Sequence, residues 1–162
     1  MAADEQNKLY FEDLAVGASF ASESYEMTTE RILQFASEFD PQPFHTDAEA
    51  AQASFFNGLA ASGWHTAAVT MRLLVESVPL TGGLIGAGSE ISWPRAVRPG
   101  DWLRVRTTVK ELITSKSRPE RGMAVLESET CNQDGAVCQR SVARVLVFRR
   151  EPELLPESGA AQ

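Results

Sequence analysis

The sequence predicts a single α+β domain, in which a curled antiparallel β-sheet wraps around a long central α-helix. A run from 62 to 78 is apolar on nearly every side, as in a buried helix. Four later runs are rich in β-branched and aromatic residues and are separated by turn residues, as in strands. The length of 162 residues and the hydrophobic content of 43% suit one ordinary core. We expect the domain to span residues 9–150, between flexible tails at 1–8 and 151–162.

The first helix is predicted between two clear boundaries. Thr28 or Thr29 can serve as its N-cap, and Glu30 suits the positive end of the helix dipole. An apolar stripe at helical spacing follows, formed by Ile32, Leu33, Phe35, Ala36 and Phe39. Because Asp40 precedes a proline, the helix should end at Phe39 or Asp40.

The next stretch, Asp40-Pro41-Gln42-Pro43-Phe44-His45, places an acid and a base five residues apart. The prolines fix φ at roughly −65° and push the residues before them out of the helical region, which predicts a stiff, non-helical corner. In one continuous helix the Asp40 and His45 side chains would diverge, whereas a corner lets both point into one cavity. One of only two histidines therefore lies beside a carboxylate, which favours a role in proton transfer.

A short second helix should follow this corner. Thr46 is its predicted N-cap, Asp47 and Glu49 lie in its first turn, and it should continue through Ala53. His45 would then lie just before a helix start.

Ser62 is the predicted N-cap of the central helix, and Gly63 opens its first turn. Pro79 and the Gly82-Gly83 pair should end this helix. The N–H of Gly63 is one of the free donors at a helix start, and glycine has no side chain to obstruct an approaching carbonyl. Gly63 is therefore a candidate donor to a developing oxyanion.

The remaining runs predict about five strands, at Phe20–Met27, Leu84–Trp93, Trp102–Thr114, Met123–Asn132 and Val137–Phe148. Asp134-Gly135 predicts a two-residue hairpin loop that would set Cys131 opposite Cys138. The chain shows no signal peptide and no other cysteine. We therefore expect two reduced thiols in a cytoplasmic protein.

The motif from Asp40 to His45, preceded by Phe35 and Ala36, resembles the hydratase signature of the MaoC-like, (R)-specific enoyl-CoA hydratase family. The resemblance implies a hot dog fold and the hydration of trans-2-enoyl thioesters. It implies that Asp40 and His45 are the catalytic pair and that the Gly63 N–H donates to the thioester oxygen. Family members usually pair their sheets, so the resemblance also implies a homodimer or a larger even assembly.

Two positions depart from the family pattern. Phe39 stands where glycine is common, and Gln42 stands where asparagine is common. Neither change removes a titrating group, so the expected effect is on substrate choice. The residues expected to contact the substrate are Gln42, Phe44, Ser62 and Trp64.

The implied reaction adds water across the C2–C3 bond of an acyl-CoA thioester, or removes it from a 3-hydroxyacyl thioester. Coenzyme A would enter as part of the substrate, with no separate cofactor. A thioesterase on the same fold is an alternative, in which Asp40 would activate water against the carbonyl carbon. A catalytically silent subunit that binds acyl thioesters is a third possibility, because a fold does not fix a function.

Structural explanations compete with the catalytic one. Asp40 could cap the corner as an Asx residue, and His45 could be a satisfied histidine packed on Phe44. His65 is more typical of a helix surface or a tunnel wall than of a catalyst. A metal site at Asp40, His45 and His65 is disfavoured, because the chain has no His-x-x-x-His pair and no cysteine cluster.

The net charge of −7 disfavours a nucleic-acid partner. No apolar run is long enough to span a bilayer, so no membrane partner is expected. Coenzyme A carries phosphates, which requires a local supply of cations in an acidic protein. The candidates are Arg95 and Arg98, and in a later loop Lys116, Arg118 and Arg121.

Overall fold

The computed structural model describes residues 7–152. The predicted tails at 1–8 and 151–162 therefore lie almost wholly outside the described residues. The first described element is a short 3-10 turn at Phe11–Asp13. Phe11 is buried there, which ties the start of the domain to the core.

Within residues 7–152 the β-structure is one antiparallel sheet of six strands. The strands are β1 (Ser19–Ala21), β2 (Tyr25–Met27), β3 (Ile85–Ser92), β4 (Asp101–Thr114), β5 (Arg121–Cys131) and β6 (Val137–Phe148). Their order is β1-β4-β5-β6-β3, and β2 also pairs with β4. The sheet does not close, so β3 has one unpaired edge.

The four long predicted strands are confirmed to within two residues at each end, whereas the first one is broken. Residues 20–27 form two short strands that both pair with β4. Ser22 interrupts the ladder, because its hydroxyl accepts a hydrogen bond from the Val105 N–H at 2.8 Å. A side chain thus takes a place that a backbone carbonyl would hold in a continuous strand.

Four helices lie in the described residues: α1 (Thr29–Phe39), α2 (Pro43–Thr46), α3 (Ala48–Gln52) and α4 (Gly63–Ser77). Thr28 caps α1 by accepting from the Arg31 N–H, as predicted. The predicted cap of the next helix is wrong, because Asp47, not Thr46, accepts from the N–H groups of Glu49 and Ala50. The Asp47 carboxylate is preferred as the N-cap because it also interacts favourably with the positive end of the helix dipole.

Helix α4 lies across the sheet and contacts β4 and β6. Val69 and Leu73 of α4 are buried against Leu103 and Val105 of β4. The prediction that α4 is buried on nearly every side is wrong. Its other side carries an exposed stripe formed by Trp64, Ala68, Met71 and Val75. The central helix is thus covered on one side only in the single chain.

The β5–β6 hairpin is wider than predicted. β5 ends at Cys131, which pairs with Val137 and not with Cys138. The Asn132 side chain accepts from the N–H groups of Asp134 and Ala136, and this holds a longer loop. Both cysteines are free thiols, as expected.

Candidate active site

Asp40 and His45 face each other across the corner between α1 and α2. Asp40 is the C-cap of α1, and His45 lies in the four-residue α2. Asp40 Oδ2 is 3.4 Å from His45 Nε2. The prediction that the corner is non-helical throughout is therefore wrong, because Pro43 occupies the first turn of α2, where its missing N–H costs nothing. The predicted convergence of the two side chains is present.

A backbone carbonyl fixes the orientation of His45. The imidazole is 5% exposed, and its Nδ1 lies 2.6 Å from the Ala60 carbonyl oxygen. Because a carbonyl oxygen only accepts, Nδ1 carries the proton and donates it. Nε2 is consequently the nitrogen that faces Asp40, and it is available for proton transfer.

Two side chains donate hydrogen bonds to the Asp40 carboxylate. Ser62 Oγ donates to Oδ2 at 2.7 Å, and Gln42 Nε2 donates to Oδ1 at 2.7 Å. Burial alone would raise the pKa of Asp40, but these two hydrogen bonds and the adjacent His45 outweigh it and lower the pKa below 3.8. Asp40 is therefore a carboxylate at neutral pH and suits the role of base.

Ser62 connects the corner to the start of α4. Its hydroxyl donates to Asp40 and accepts from the Trp64 N–H at 3.2 Å, so one side chain is both N-cap and carboxylate partner. Within residues 7–152 the Gly63 N–H donates to no acceptor. This leaves a free donor at a helix N-terminus beside Asp40.

Gly63 is required by packing as well as by its free N–H. A β-carbon at position 63 would lie 2.9 Å from two ring carbons of Trp93. The Trp93 indole N–H donates to Gln139 Oε1 at 2.9 Å, which holds the ring over the helix start.

The other predicted contact residues differ in position. Phe44 packs edge-on against the His45 ring, with centroids 4.6 Å apart. Gln42 is committed to Asp40, as described above. Trp64 is 61% exposed and contacts Trp93, and it does not line the Asp40–His45 corner in the single chain.

Sequence reasoning missed how the loop before α4 is held. Arg98 donates to the carbonyl oxygens of Phe56, Gly58 and Leu59 and thereby fixes the segment that presents the Ala60 carbonyl to His45. The sequence alone could not show this role, because the three acceptors are backbone carbonyl oxygens, which every residue carries. Arg98 thus holds this loop, and its candidate role at a phosphate stays a prediction.

The later group of candidate phosphate ligands is remote from the corner. Lys116, Arg118 and Arg121 lie beyond Thr114, at the opposite end of β4 from Asp101. A strand of 14 residues is roughly 45 Å long. Within one chain these three residues therefore do not supply cations to the corner.

No helix within residues 7–152 is both long and apolar enough to cross a bilayer. No group of three or more His, Cys, Asp or Glu residues in the same range is placed to hold a metal ion.

Comparison with known proteins identifies the family. The family model for the MaoC-like domain matches residues 13–131. This chain belongs to the MaoC-like domain family. A MaoC-like dehydratase of known structure from Rhodospirillum rubrum is 58% identical, with a TM-score of 0.87 over 88% of this chain and 99% of that one. The Bacillus subtilis protein YdeM, whose name marks it as uncharacterised, is 34% identical over 85% of this chain and 98% of its own.

The MaoC-like assignment agrees with the architecture. The R-hydratase PhaJ1 from Pseudomonas aeruginosa superposes with a TM-score of 0.71 over 92% of this chain and 94% of that one, at 23% identity, which indicates a shared fold. The six-stranded antiparallel sheet with α4 across it is the hot dog fold of this family. Membership of a family of MaoC-like dehydratases supports a hydratase or dehydratase in general terms.

Proposed function

We propose that this protein hydrates enoyl thioesters of coenzyme A and, in the reverse direction, dehydrates 3-hydroxyacyl thioesters. One observation carries the proposal: the Asp40 carboxylate and His45 Nε2 lie 3.4 Å apart, beside the free N–H of Gly63. Hydration needs a base for water, a proton for C2 and a donor for the thioester oxygen. This corner offers a group for each. Coenzyme A is part of the substrate, and no separate cofactor takes part.

The Gly63 N–H donates a hydrogen bond to the thioester carbonyl oxygen. Negative charge builds on this oxygen as C3 is attacked, and the positive end of α4 stabilises it. Trp93 fills the space where a side chain at position 63 would stand, with two ring carbons 2.9 Å from the position of a β-carbon.

Asp40 and His45 divide the proton transfers. The Asp40 carboxylate takes a proton from water while the water oxygen bonds to C3. The electron pair of the C2–C3 double bond shifts towards the carbonyl, and C2 takes a proton from the protonated Nε2 of His45. Transfer of the proton on Asp40 to His45, 3.4 Å away, restores the pair. The reverse sequence eliminates water.

The proposal is tested with crotonyl-CoA by following the enoyl thioester absorbance together with the release of free thiol. Loss of absorbance without thiol release is the expected result. Thiol release would identify a thioesterase, and an unchanged spectrum with saturable binding would identify a binding subunit. Either of these two results overturns the proposal.

The active form is proposed to be a homodimer or a larger even assembly. Trp64, Met71 and Val75 are exposed along α4, and β3 has an unpaired edge. Exposed apolar stripes and free strand edges are both unfavourable in an isolated chain. Sedimentation equilibrium measures the assembly state directly. A strict monomer at micromolar concentration would contradict the expectation.

A further inference from the structure

The two ends of the sheet carry different features. The strand register places Ser92 of β3 at one end, and Ile85 of β3 and Thr114 of β4 at the other. We call these the Ser92 end and the Thr114 end. The candidate active site lies at the Ser92 end, because Trp93 directly follows β3 and its ring lies over Gly63.

The loop between β4 and β5, at the Thr114 end, is basic. It contains Lys116 and Arg118, which are both exposed, and Arg121 follows it as the first residue of β5. Glu120, the one acidic residue of the loop, lies 3.9 Å from the guanidinium of Arg121. In the part of the chain that the structure describes, no ion pair includes Lys116 or Arg118. The loop therefore presents two positive charges that no ion pair neutralises.

Local hydrogen bonds hold this loop in shape. The Arg118 N–H donates to Ser115 Oγ at 3.1 Å, and the Arg121 N–H donates to the Arg118 carbonyl oxygen at 3.2 Å. Glu12 and Asp13 also lie at this end of the sheet, but each is paired with an arginine that follows β6. Binding an anion here would thus require little ordering of the backbone.

The exposed stripe of α4 faces the side of the sheet on which β3 lies. Met71 and Leu74 of α4 line a groove of about 380 Å³ together with Gly86, Gly88 and Ile91 of β3 or its neighbourhood along the chain. Helix α4 itself packs on β4 and β6. The uncovered helix stripe and the unpaired edge of β3 therefore lie side by side, and one partner surface can cover both.

A second copy of the chain covers both features in one arrangement. If two copies pair through β3 around a two-fold axis perpendicular to the sheet, the two β3 strands are antiparallel and both α4 helices lie on the same face. A two-fold axis along the strands would place the helices on opposite faces and leave both stripes exposed. Antiparallel pairing of β3 is therefore the arrangement that pairs the edge and buries the stripe.

Antiparallel pairing brings the Thr114 end of one copy beside the Ser92 end of the other. From β3 of one copy, β5 of the partner subunit lies three strand spacings away, about 15 Å. The extended pantetheine arm of coenzyme A is about as long as four or five extended residues, roughly 15 Å. When a thioester is held at Gly63, its phosphates are therefore within reach of the β4–β5 loop of the partner subunit.

We propose that the phosphates of coenzyme A bind to the β4–β5 loop of the partner subunit, so that each complete site uses two copies of the chain. The partner subunit's Lys116 and the partner subunit's Arg118 contact these phosphates. The inference rests on the proposed hydratase function and on the proposed homodimer. It gives a chain of net charge −7 a local supply of cations from a loop that is out of reach within one chain.

Complementation between two variants tests whether the loop acts across the dimer. One chain carries Asp40→Asn, the other carries Lys116→Glu with Arg118→Glu, and two different affinity tags isolate the heterodimer after co-expression. The intact Asp40 of the loop variant then faces the intact loop of its partner, so one of the two sites is complete. We expect the wild-type KM for crotonyl-CoA and about half of the wild-type kcat.

Two outcomes of this experiment would overturn the proposal. If the loop acts within its own chain, every site of the heterodimer has a defect, and KM stays at the value of the loop variant. If the protein is a monomer, no heterodimer is isolated and no partner loop exists.

Substrates with and without phosphates localise the effect. Lys116→Gln with Arg118→Gln should raise the KM for crotonyl-CoA at least fivefold and should not change the KM for crotonyl-pantetheine, which has no phosphate. Arg104→Gln with Arg144→Gln is the matched control. It removes the same charge from exposed positions on the face of the sheet that points away from α4, and both KM values should be retained. An equal rise in the control would indicate a general effect of charge and exclude this site.

A binding experiment separates failure of this proposal from failure of the hydratase function. Hexanoyl-CoA has no double bond to hydrate, and calorimetry gives its Kd without turnover. The Kd of the wild type should be at least fivefold lower than that of the variant with Lys116→Gln and Arg118→Gln, and the difference should shrink at high ionic strength. If no enoyl thioester is hydrated but this difference appears, the loop proposal stands and the reaction is another one. Equal Kd values would overturn the loop proposal and leave the hydratase function intact.

Discussion

The two histidines of this chain are buried to nearly the same extent, 5% exposed for His45 and 6% for His65, but their ring nitrogens have opposite surroundings. His45 donates from Nδ1 to a backbone carbonyl and faces a carboxylate with Nε2. His65 is stacked on a phenyl ring, and its Nδ1 has no partner. Burial alone therefore does not distinguish the two roles. The partners distinguish them, because the His45 ring is oriented by a carbonyl oxygen and faces a carboxylate, whereas the His65 Nδ1 has no partner.

The largest difference between the histidines should appear in turnover. His45→Gln and Asp40→Asn should each lower kcat by about a hundredfold or more, because each removes a group that transfers a proton. His65→Gln should have a much smaller effect on the hydration of a neutral enoyl-CoA. Steady-state kinetics on purified variants measure this. Near-normal turnover of His45→Gln would exclude His45 from the mechanism.

The next difference concerns the pH dependence of stability. Burial, and to a lesser degree the charge of Arg31, lower the pKa of His65 from 6.5 to about 4. Between these values the unfolded chain binds a proton at His65 that the folded chain does not, so stability falls as the pH drops from about 6.5 to about 4. Above pH 6.5 this loss is absent, and at pH values well below 4 it amounts to roughly 3 kcal/mol of the free energy of unfolding.

His65→Phe is the variant that tests this assignment. It retains a ring to stack on Phe35 and removes the titrating nitrogen. Its free energy of unfolding, measured in urea, should vary less between pH 4 and pH 6.5 than that of the wild type. The same pH dependence in both proteins would show that another group is responsible.

A substitution of Arg98 tests whether the loop that carries Ala60 holds His45 in position. Arg98→Met should lower the free energy of unfolding by about 2 kcal/mol, because buried carbonyl oxygens lose a charged donor. It should also lower kcat, since the loop that carries Ala60 would no longer hold His45 in place. An unchanged kcat would show that Ala60 is held by other contacts.

Ser62→Ala should give the smallest effect. Loss of the N-cap should cost about 1 kcal/mol of stability. Loss of the hydrogen bond to Asp40 should raise the pKa of Asp40, so the acidic limb of the pH–rate profile moves to higher pH. Ser62→Thr keeps the hydroxyl and should stay close to wild type in both measurements. A profile that does not move would show that Ser62 acts only as a cap.

Local rules predicted α1, α4 and the position of the corner between them, although they missed the helical turn α2. Thr28, Ser62 and the prolines that follow the ends of α1 and α4 act over three or four residues, and such short-range effects can be read from one sequence. The convergence of Asp40 and His45 followed from the same local geometry. The motif then indicated the family that the comparison confirmed.

Features that depend on distant chain segments were not predictable. The exposed side of α4 could not be told from its buried side, because Met71 and Val75 are as apolar as Val69 and Leu73. The Ala60 carbonyl that orients His45 and the Trp93 ring over Gly63 come from remote parts of the chain. The two donors that lower the pKa of Asp40 are apparent only in three dimensions.

Because Trp93 lies so close to Gly63, the residues at these two positions can be substituted only together. A methyl group at position 63 cannot be accommodated while the indole lies 2.9 Å from where it would be placed. The indole in turn is bonded to Gln139 on β6, so shifting it disturbs the sheet. Any attempt to reshape the entrance to this site must therefore exchange the glycine, the tryptophan and its amide partner together.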